Sequence, residues 1–208
     1  MNQDRHRLFH VLSGLCGIIG VFVPMTMITI AVQHSPWFRW DTNPLSDIGI
    51  HPEAALFNGA LILGGLLFIV FTLGLRDLLG KRRWWNAATI SLGFGSVFLI
   101  LIGIFTENQL LLHTICAYGY FILAPVSILF FAQGTQEILL RRASLLFGIL
   151  ALLGILVVPF VLLPFNVGFA VPELIETTLL ELWVLILAVY LLRNQTPLPR
   201  TPDSSREA

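Results

Sequence analysis

The stretch AALFNGALILGGLLFIVFTLGLRDLL, residues 54–79, carries no ionisable side chain before Arg76. An α-helix rises ~1.5 Å per residue, so about 20 apolar residues cross the ~30 Å hydrocarbon core of a bilayer. A soluble core helix has no need for an apolar run of this length. The stretch therefore predicts a membrane-spanning helix.

Five further stretches have the same character. They run approximately over residues 8–32, 87–106, 110–133, 144–164 and 173–192. The whole chain is 56% hydrophobic and 12% charged, whereas soluble domains carry about 25% charged residues. We predict an all-α, polytopic integral membrane protein, a six-transmembrane-helix bundle forming one domain over 1–193. The Pro-, Ser- and charge-rich segment 194–208 is predicted to be a disordered cytoplasmic tail.

The distribution of basic residues predicts the orientation of the bundle. Of the 12 Lys and Arg residues, only Arg39 lies in a segment that follows helix 1, 3 or 5. Lys and Arg near short loops are retained on the cytoplasmic side during insertion. Both termini are therefore predicted to be cytoplasmic, in a multi-pass protein of the cell membrane. The formal net charge is zero, which gives no reason to expect a nucleic-acid partner.

Ionisable residues gather at the predicted outer end of the bundle. They are Asp47, His51 and Glu53 in the first loop, Glu107 and His113 around the second outer turn, and Glu173, Glu176 and Glu181 in helix 6. An ionisable group inside a span costs several kcal/mol when it faces lipid, so such groups should face the bundle interior. We expect this above all of His113 and Glu181, which lie within spans.

Helical spacing brings several of these residues to shared faces. Gln109, His113, Cys116 and Tyr120 follow an i, i+4, i+7, i+11 pattern, and the carboxylates of helix 6 form one stripe. Asn58 lies about one turn below the start of helix 2. We predict a substrate-binding pocket, with the contributing residues Ser46, His51, Asn58, Tyr120, Glu176 and Glu181.

Two chemistries fit such a pocket. Asp47 and His113 could form a catalytic pair, one as general base and the other orienting it. Alternatively, Asp47, His51 and His113 are candidate ligands of a divalent metal cofactor that polarises a carbonyl or phosphoryl group. The spacing matches no metalloprotease, nucleophile-elbow or phosphate-loop signature, so both interpretations stay open.

Structural roles compete with these functional ones. Asp47, between Ser46 and Gly49, suits an Asx-type turn, and His51 suits a cap of helix 2. Glu53 and Glu173 lie in the first turns of their helices, where carboxylates complement the helix dipole. Glu107 is interpreted as a solvated turn residue.

Short motifs in the first loop and in helices 2, 3 and 4 carry a family resemblance. They are Asn43-Pro44-Leu45-Ser46-Asp47-Ile48-Gly49, Pro52-Glu53, Leu56-Phe57-Asn58-Gly59, Gly103-Ile104-Phe105 and His113. In these motifs the chain resembles the prokaryotic six-helix membrane family of unknown function DUF998. It is also similar to the eukaryotic FRAG/DRAM/Sfk-type membrane proteins, which include a remodelling factor for lipid anchors and modulators of lipid distribution. The resemblance implies lipid handling on the extracytoplasmic side, with Asp47, Asn58 and His113 as the residues that match the motif.

Three functional hypotheses follow. The first is a polar site at the extracytoplasmic side that binds or modifies lipid headgroups, with membrane lipids as partners. The second is a non-catalytic scaffold that binds a membrane-protein partner through its small-residue helix faces. The third is a small proton-coupled transporter with Glu176, His113 and Glu181 as a relay.

Overall fold

The computed structural model describes residues 2–80, 82–162 and 168–194. They form six long helices and two short 3-10 helices, Leu45–Ile50 and Glu107–Gln109. The long helices are α1 (Asn2–Gln33), α2 (Ala54–Leu79), α3 (Arg83–Ile104), α4 (Leu110–Gly134), α5 (Ile138–Leu162) and α6 (Ala170–Arg193). All six contain a segment long and apolar enough to cross a membrane, and the described residues contain no strand. The predicted all-α, six-helix membrane fold is confirmed.

The helix bounds differ from the predicted ones mainly at two starts. α1 begins at Asn2 rather than near residue 8, and α5 begins at Ile138 rather than near residue 144. Hydropathy marks only the part of a helix that hydrocarbon can cover, and a helix can continue through polar residues beyond it. The predicted end of helix 5 at residue 164 and the predicted tail from residue 195 onward lie outside the described residues.

The helices form a ring in chain order. Each packs against the next, and α6 closes the ring on α1 while also touching α2 and α4. The contact between α5 and α6 is the least extensive of these neighbouring pairs. The ring is therefore loosest where α5 meets α6.

The ring has two distinct ends. At one end, the N–H groups of Gly168 and Ala170 donate to the carbonyl oxygens of Asp41 (2.8 Å) and Asn43 (3.2 Å), which joins the start of α6 to the first loop. We call this the loop end. At the other end, His10 Nε2 lies 2.9 Å from the Asp77 carboxylate, which joins the start of α1 to the end of α2. We call this the terminal end.

Large side chains fill the bundle towards the terminal end. Trp183, Phe71, Phe131 and Leu187 are all fully buried. The Phe131 and Trp183 rings meet edge to face with centroids 5.6 Å apart. The indole Nε1–H of Trp183 donates to Ser144 Oγ at 3.0 Å, so the one polar atom of this ring is satisfied. This part of the bundle is densely packed.

Small residues let α1 approach its neighbours closely. A Cβ atom added to Gly14 would lie 2.7 Å from Leu192 Cγ, and one added to Gly17 would lie 2.8 Å from Phe71 Cδ2. Such approaches are typical of membrane helices, whose association depends on close van der Waals packing. The glycines of α1 are thus part of the interface with α2 and α6.

Replacing Gly17 with Ala should destabilise the bundle. The new methyl group would press on buried Phe71 and on Ala188, whose Cβ lies 3.0 Å away, and overpacking of this kind costs about 1–3 kcal/mol. The measurement is thermal unfolding in detergent. Gly93→Ala is the control. Its new Cβ has room, because the nearest atom is Thr72 Cγ2 at 3.9 Å. Both substitutions raise the helix propensity of the chain equally, so the comparison isolates the effect of packing. Equal melting temperatures for the two variants would contradict the close packing of α1.

Candidate functional site

The first loop folds back over the loop end of the bundle. Its 3-10 helix, Leu45–Ile50, follows the extended backbone of Pro44 and buries Leu45, Ile48 and Gly49. Leu45 and Ile48 belong to a small apolar cluster that also contains Phe57 and Ala170. Burial of these side chains pulls the loop down onto α2 and α6.

Two side chains from the bundle hold this loop by hydrogen bonds. Glu173 Oε2 accepts the N–H of Leu45 at 2.7 Å, and Asn58 Nδ2 donates to the carbonyl of Gly49 at 2.8 Å. A Cβ atom at position 49 would lie 2.6 Å from Asn58 Oδ1, so the close approach of these two residues requires glycine. α2 and α6 therefore fix the position of the loop.

Ser46, Glu107 and His113 form a polar group where the loop meets α4. Ser46 Oγ donates a short hydrogen bond to Glu107 Oε1, and His113 Nδ1 donates to the carbonyl of Phe105 at 2.8 Å. His113 Nε2 lies 3.9 Å from Glu107 Oε1, which is beyond hydrogen-bonding distance. That separation leaves Nε2 able to accept a hydrogen bond from a hydroxyl or ammonium group.

A small cavity lies below this group, between α1, α2, α3, α4 and α6. Its volume is about 90 Å³, enough for a few water molecules. Most of its wall is apolar, with the polar contributions of Ser46, His113, Tyr120, Glu173, Thr177 and Glu181. We call it the inner cavity. It places the Glu181 carboxylate deep in the bundle beside protein atoms rather than lipid.

A larger groove of about 410 Å³ lies on the other side of the same polar group. Its described lining comes from the first loop, α4, α5, α6 and the segments next to them, with the residues Pro44, Ser46, Glu107, Leu110, His113, Thr114, Ala117, Tyr118, Phe121, Gly154, Ile155, Phe169, Pro172, Glu173 and Glu176. We call it the α4–α6 groove. The residues that line both this groove and the inner cavity form a wall between the two spaces, and they are Ser46, His113, Ala117, Phe121 and Glu173.

Glu176 is the most unusual group in the α4–α6 groove. The residue is only 5% exposed, and its Oε1 atom has no hydrogen-bond partner among the described residues. Gly154 faces it from α5, and the nearest described atom to a Cβ added there is Glu176 Oε2 at 4.0 Å. The missing side chain of Gly154 therefore leaves space beside Glu176 Oε2, and the other oxygen of the same carboxyl group, Oε1, has no hydrogen bond to a described residue.

The predicted pocket residues fall into two groups. Ser46, Tyr120 and Glu181 line the inner cavity together with His113, and Glu176 lines the α4–α6 groove. The remaining two, His51 and Asn58, are not among the residues that line either space. His51 Nδ1 donates to the carbonyl of Asp47 at 2.8 Å and its ring stacks on Trp37 at 3.7 Å. Asn58, as described above, holds the loop.

Asp47, one half of the predicted catalytic pair, is engaged within its own loop. Its Oδ2 accepts a hydrogen bond from Asn43 Nδ2 at 2.8 Å, which is a side-chain contact and not the backbone contact of an Asx-type turn. Asp47 does not line the α4–α6 groove or the inner cavity, and no hydrogen bond or ion pair joins it to His113 in the described structure. The catalytic roles of Asp47 and His113 stay predictions.

The described residues contain no group of three or more His, Cys, Asp and Glu side chains arranged to hold a metal ion. The candidate ligands Asp47, His51 and His113 do not form such a group. Their side chains bond Asn43, the backbone carbonyl of Asp47 and the backbone carbonyl of Phe105, respectively. The residues present in this part of the chain do not fit the metal cofactor considered from the sequence.

The expected burial of polar residues is confirmed, and one structural interpretation is wrong. His113, Glu176 and Glu181 are exposed by only 8%, 5% and 9%. Glu107, interpreted as a solvated turn residue, is half-buried and bonded to Ser46. The predicted topology offered a signal for this contact, because it places the first loop and the α3–α4 turn at the same end of the bundle.

The charge of the site is strongly biased. Glu107, Glu173 and Glu176 line the α4–α6 groove, where His113 is the one side chain that can carry positive charge among the described lining residues. Arg39, the only Lys or Arg of the loop-end segments, bonds Asp41 through Nε (3.2 Å) and NH2 (2.9 Å). This contact lowers the pKa of the exposed Asp41 carboxyl below its ordinary value. The described lining of the groove thus contains three acidic side chains and no Lys or Arg.

Comparisons with known proteins identify a family and nothing more specific. A family model described as "Protein of unknown function (DUF998)" matches residues 18–190 of the chain. No curated protein and no solved structure matches the chain. The site must therefore be interpreted from its own geometry.

Replacing Glu173 with Leu should loosen the first loop. Removing the acceptor leaves the N–H of Leu45 unsatisfied, which costs about 1–3 kcal/mol. We expect faster amide hydrogen exchange in the peptide that contains residues 43–53, measured by mass spectrometry. Glu173→Gln is the control, because the amide oxygen can still accept this hydrogen bond. Unchanged exchange in the Leu variant would contradict the role of Glu173 as the anchor of the loop.

Proposed function

The chain belongs to the DUF998 family of proteins of unknown function, and we propose that it binds the headgroup of a membrane lipid in the α4–α6 groove. The observation that carries the proposal is the amphipathic lining of this groove. Tyr118, Phe121 and Ile155 give it apolar walls, and Glu107, His113 and Glu176 give it polar groups. An amphiphile has the same division between an apolar and a polar part.

The lining of the groove includes residues that are exposed on the outer face of α4. Leu110 and Tyr118 on α4 are 67% and 49% exposed, and both line the groove. A lipid in the surrounding bilayer could enter between α4 and α5 without leaving the membrane. The volume of about 410 Å³ is in the range of small-molecule sites, so it can hold a headgroup with the adjoining part of a chain.

The distribution of basic residues supports an extracytoplasmic location for the site. Among the described residues, the loop-end segments carry Arg39 alone, whereas the terminal-end segments carry eight Arg residues. Positive residues are retained in the cytoplasm. The α4–α6 groove would therefore meet lipids of the outer leaflet.

No comparable observation supports the two alternative functions, proton-coupled transport and scaffolding. A proton or solute path from Glu181 to the terminal end would have to pass Trp183, Leu187 and Leu191, which are exposed by 1% or less. A scaffold explains the small-residue helix faces. It gives no reason for the α4–α6 groove, or for Glu176 Oε1 in its wall, which has no hydrogen-bond partner among the described residues. Lipid binding accounts for the α4–α6 groove, for its apolar walls and for its polar groups together.

Replacing Gly154 with Leu should reduce lipid binding. The new side chain would project into the space beside Glu176, and loss of that space should weaken binding about tenfold, or ~1.4 kcal/mol. The measurement is the amount of phospholipid that stays on the purified protein after extensive detergent washing, read by native mass spectrometry.

Gly93→Leu is the matched control for this experiment. Gly93 is also a half-buried glycine in a spanning helix, its Cβ position has a nearest neighbour at 3.9 Å, and it lies in α3 away from the groove. We expect this variant to retain lipid like the unmodified protein. Equal retention by the two variants, with both folded, would contradict lipid binding in the α4–α6 groove.

A further inference from the structure

Glu176 has a carboxylate oxygen that no described residue uses as a hydrogen-bond acceptor. Its Oε1 atom is buried in the wall of the α4–α6 groove and has no partner among the described residues. A buried carboxylate oxygen without a hydrogen bond costs free energy, and such atoms in native proteins are almost always satisfied. The other two carboxylates of the groove are engaged, since Glu107 accepts from Ser46 and Glu173 accepts from Leu45.

We propose that the lipid headgroup bound in this groove carries a primary ammonium, which pairs with the Glu176 carboxylate. This inference rests on the function proposed above and specifies its ligand. A primary ammonium offers three N–H donors and no acceptor, and it is positively charged. It can donate a hydrogen bond to the Glu176 carboxyl group and brings a positive charge next to the acidic side chains of the groove.

The acidic lining of the groove disfavours a headgroup with net negative charge. The phosphate is common to ethanolamine, choline and glycerol phospholipids, so the group beyond the phosphate decides their order. A glycerol group leaves the headgroup anionic beside Glu107, Glu173 and Glu176, with no Lys or Arg among the described lining residues. A trimethylated ammonium is cationic but has no N–H, so it would leave Oε1 without a hydrogen bond. Binding should therefore weaken from ethanolamine to choline to glycerol headgroups.

Gly154 provides the space that an ammonium would need. No described atom other than Glu176 Oε2 comes within 4 Å of a Cβ added there, and that oxygen lies at 4.0 Å. The apolar side chains of Phe121 and Ile155 line the same groove and suit the acyl part of the ligand. The ligand we infer is therefore an aminophospholipid rather than a free amine.

The test compares headgroups on identical acyl chains. Delipidated full-length protein is titrated with phosphatidylethanolamine, phosphatidylcholine or phosphatidylglycerol in detergent, and bound lipid is measured by native mass spectrometry. We expect phosphatidylethanolamine to bind about tenfold tighter than phosphatidylglycerol. In Glu176→Gln, which keeps the shape but removes the charge, the preference should fall to about twofold or less. Glu137 is an exposed residue directly before α5, at the terminal end of the bundle. The control variant Glu137→Gln should keep the preference for phosphatidylethanolamine.

The outcomes separate this inference from the function on which it rests. Equal binding of all three lipids that is lost in Gly154→Leu would overturn the ammonium inference and leave lipid binding standing. No specific binding of any lipid would overturn both. Binding of ethanolamine alone with the affinity of the whole lipid would overturn the lipid source of the amine. If Glu176→Gln fails to fold, the headgroup preference of the unmodified protein tests the inference by itself. Equal binding of phosphatidylethanolamine and phosphatidylglycerol would then overturn it.

Discussion

Hydrocarbon offers no partner to a polar group, and this constraint governs α6. The helix carries three acidic residues, Glu173, Glu176 and Glu181, within a segment that is predominantly apolar. Exposure of such groups to lipid is costly, so α6 must turn this face towards the other helices. Glu173 is satisfied by the first loop, and Glu181 faces the inner cavity. The position of the first loop and the positions of the inner cavity and the α4–α6 groove all follow from the orientation of this one helix.

The two ends of the bundle differ in how densely they are packed. Towards the terminal end, Trp183, Phe71 and Leu187 fill the interior, and the glycines of α1 bring the helices close together. Towards the loop end, α5 and α6 separate enough to leave the α4–α6 groove, with Gly154 on one side and Glu176 on the other. Dense packing at one end supplies stability, and the open end can then hold a polar wall that packing alone would not favour.

Sequence reasoning reached the spans and the burial of polar residues but not the contacts between segments. Hydropathy located all six helices, and the cost of charge in lipid correctly placed His113, Glu176 and Glu181 in the interior. Helical spacing tells which residues share a face but not which helix that face meets. The bond from Ser46 to Glu107 joins residues 61 positions apart, and the meeting of Gly154 with Glu176 depends on how α5 packs. The predicted topology brings the first loop and the α3–α4 turn to one end of the bundle, but only the tertiary arrangement shows which of their side chains meet.

The central claim is that lipid enters the bundle between α4 and α5, and its most direct test is to map where lipid touches the protein. Phosphatidylethanolamine with a photoactivatable group on its acyl chain is incorporated into nanodiscs with the protein, and the labelled peptides are identified after irradiation. The account predicts that labelling concentrates around Tyr118 and Ile155, which line the α4–α6 groove. Labelling of the same intensity around Phe22 and Phe94, which are 58% and 60% exposed on α1 and α3, would contradict it.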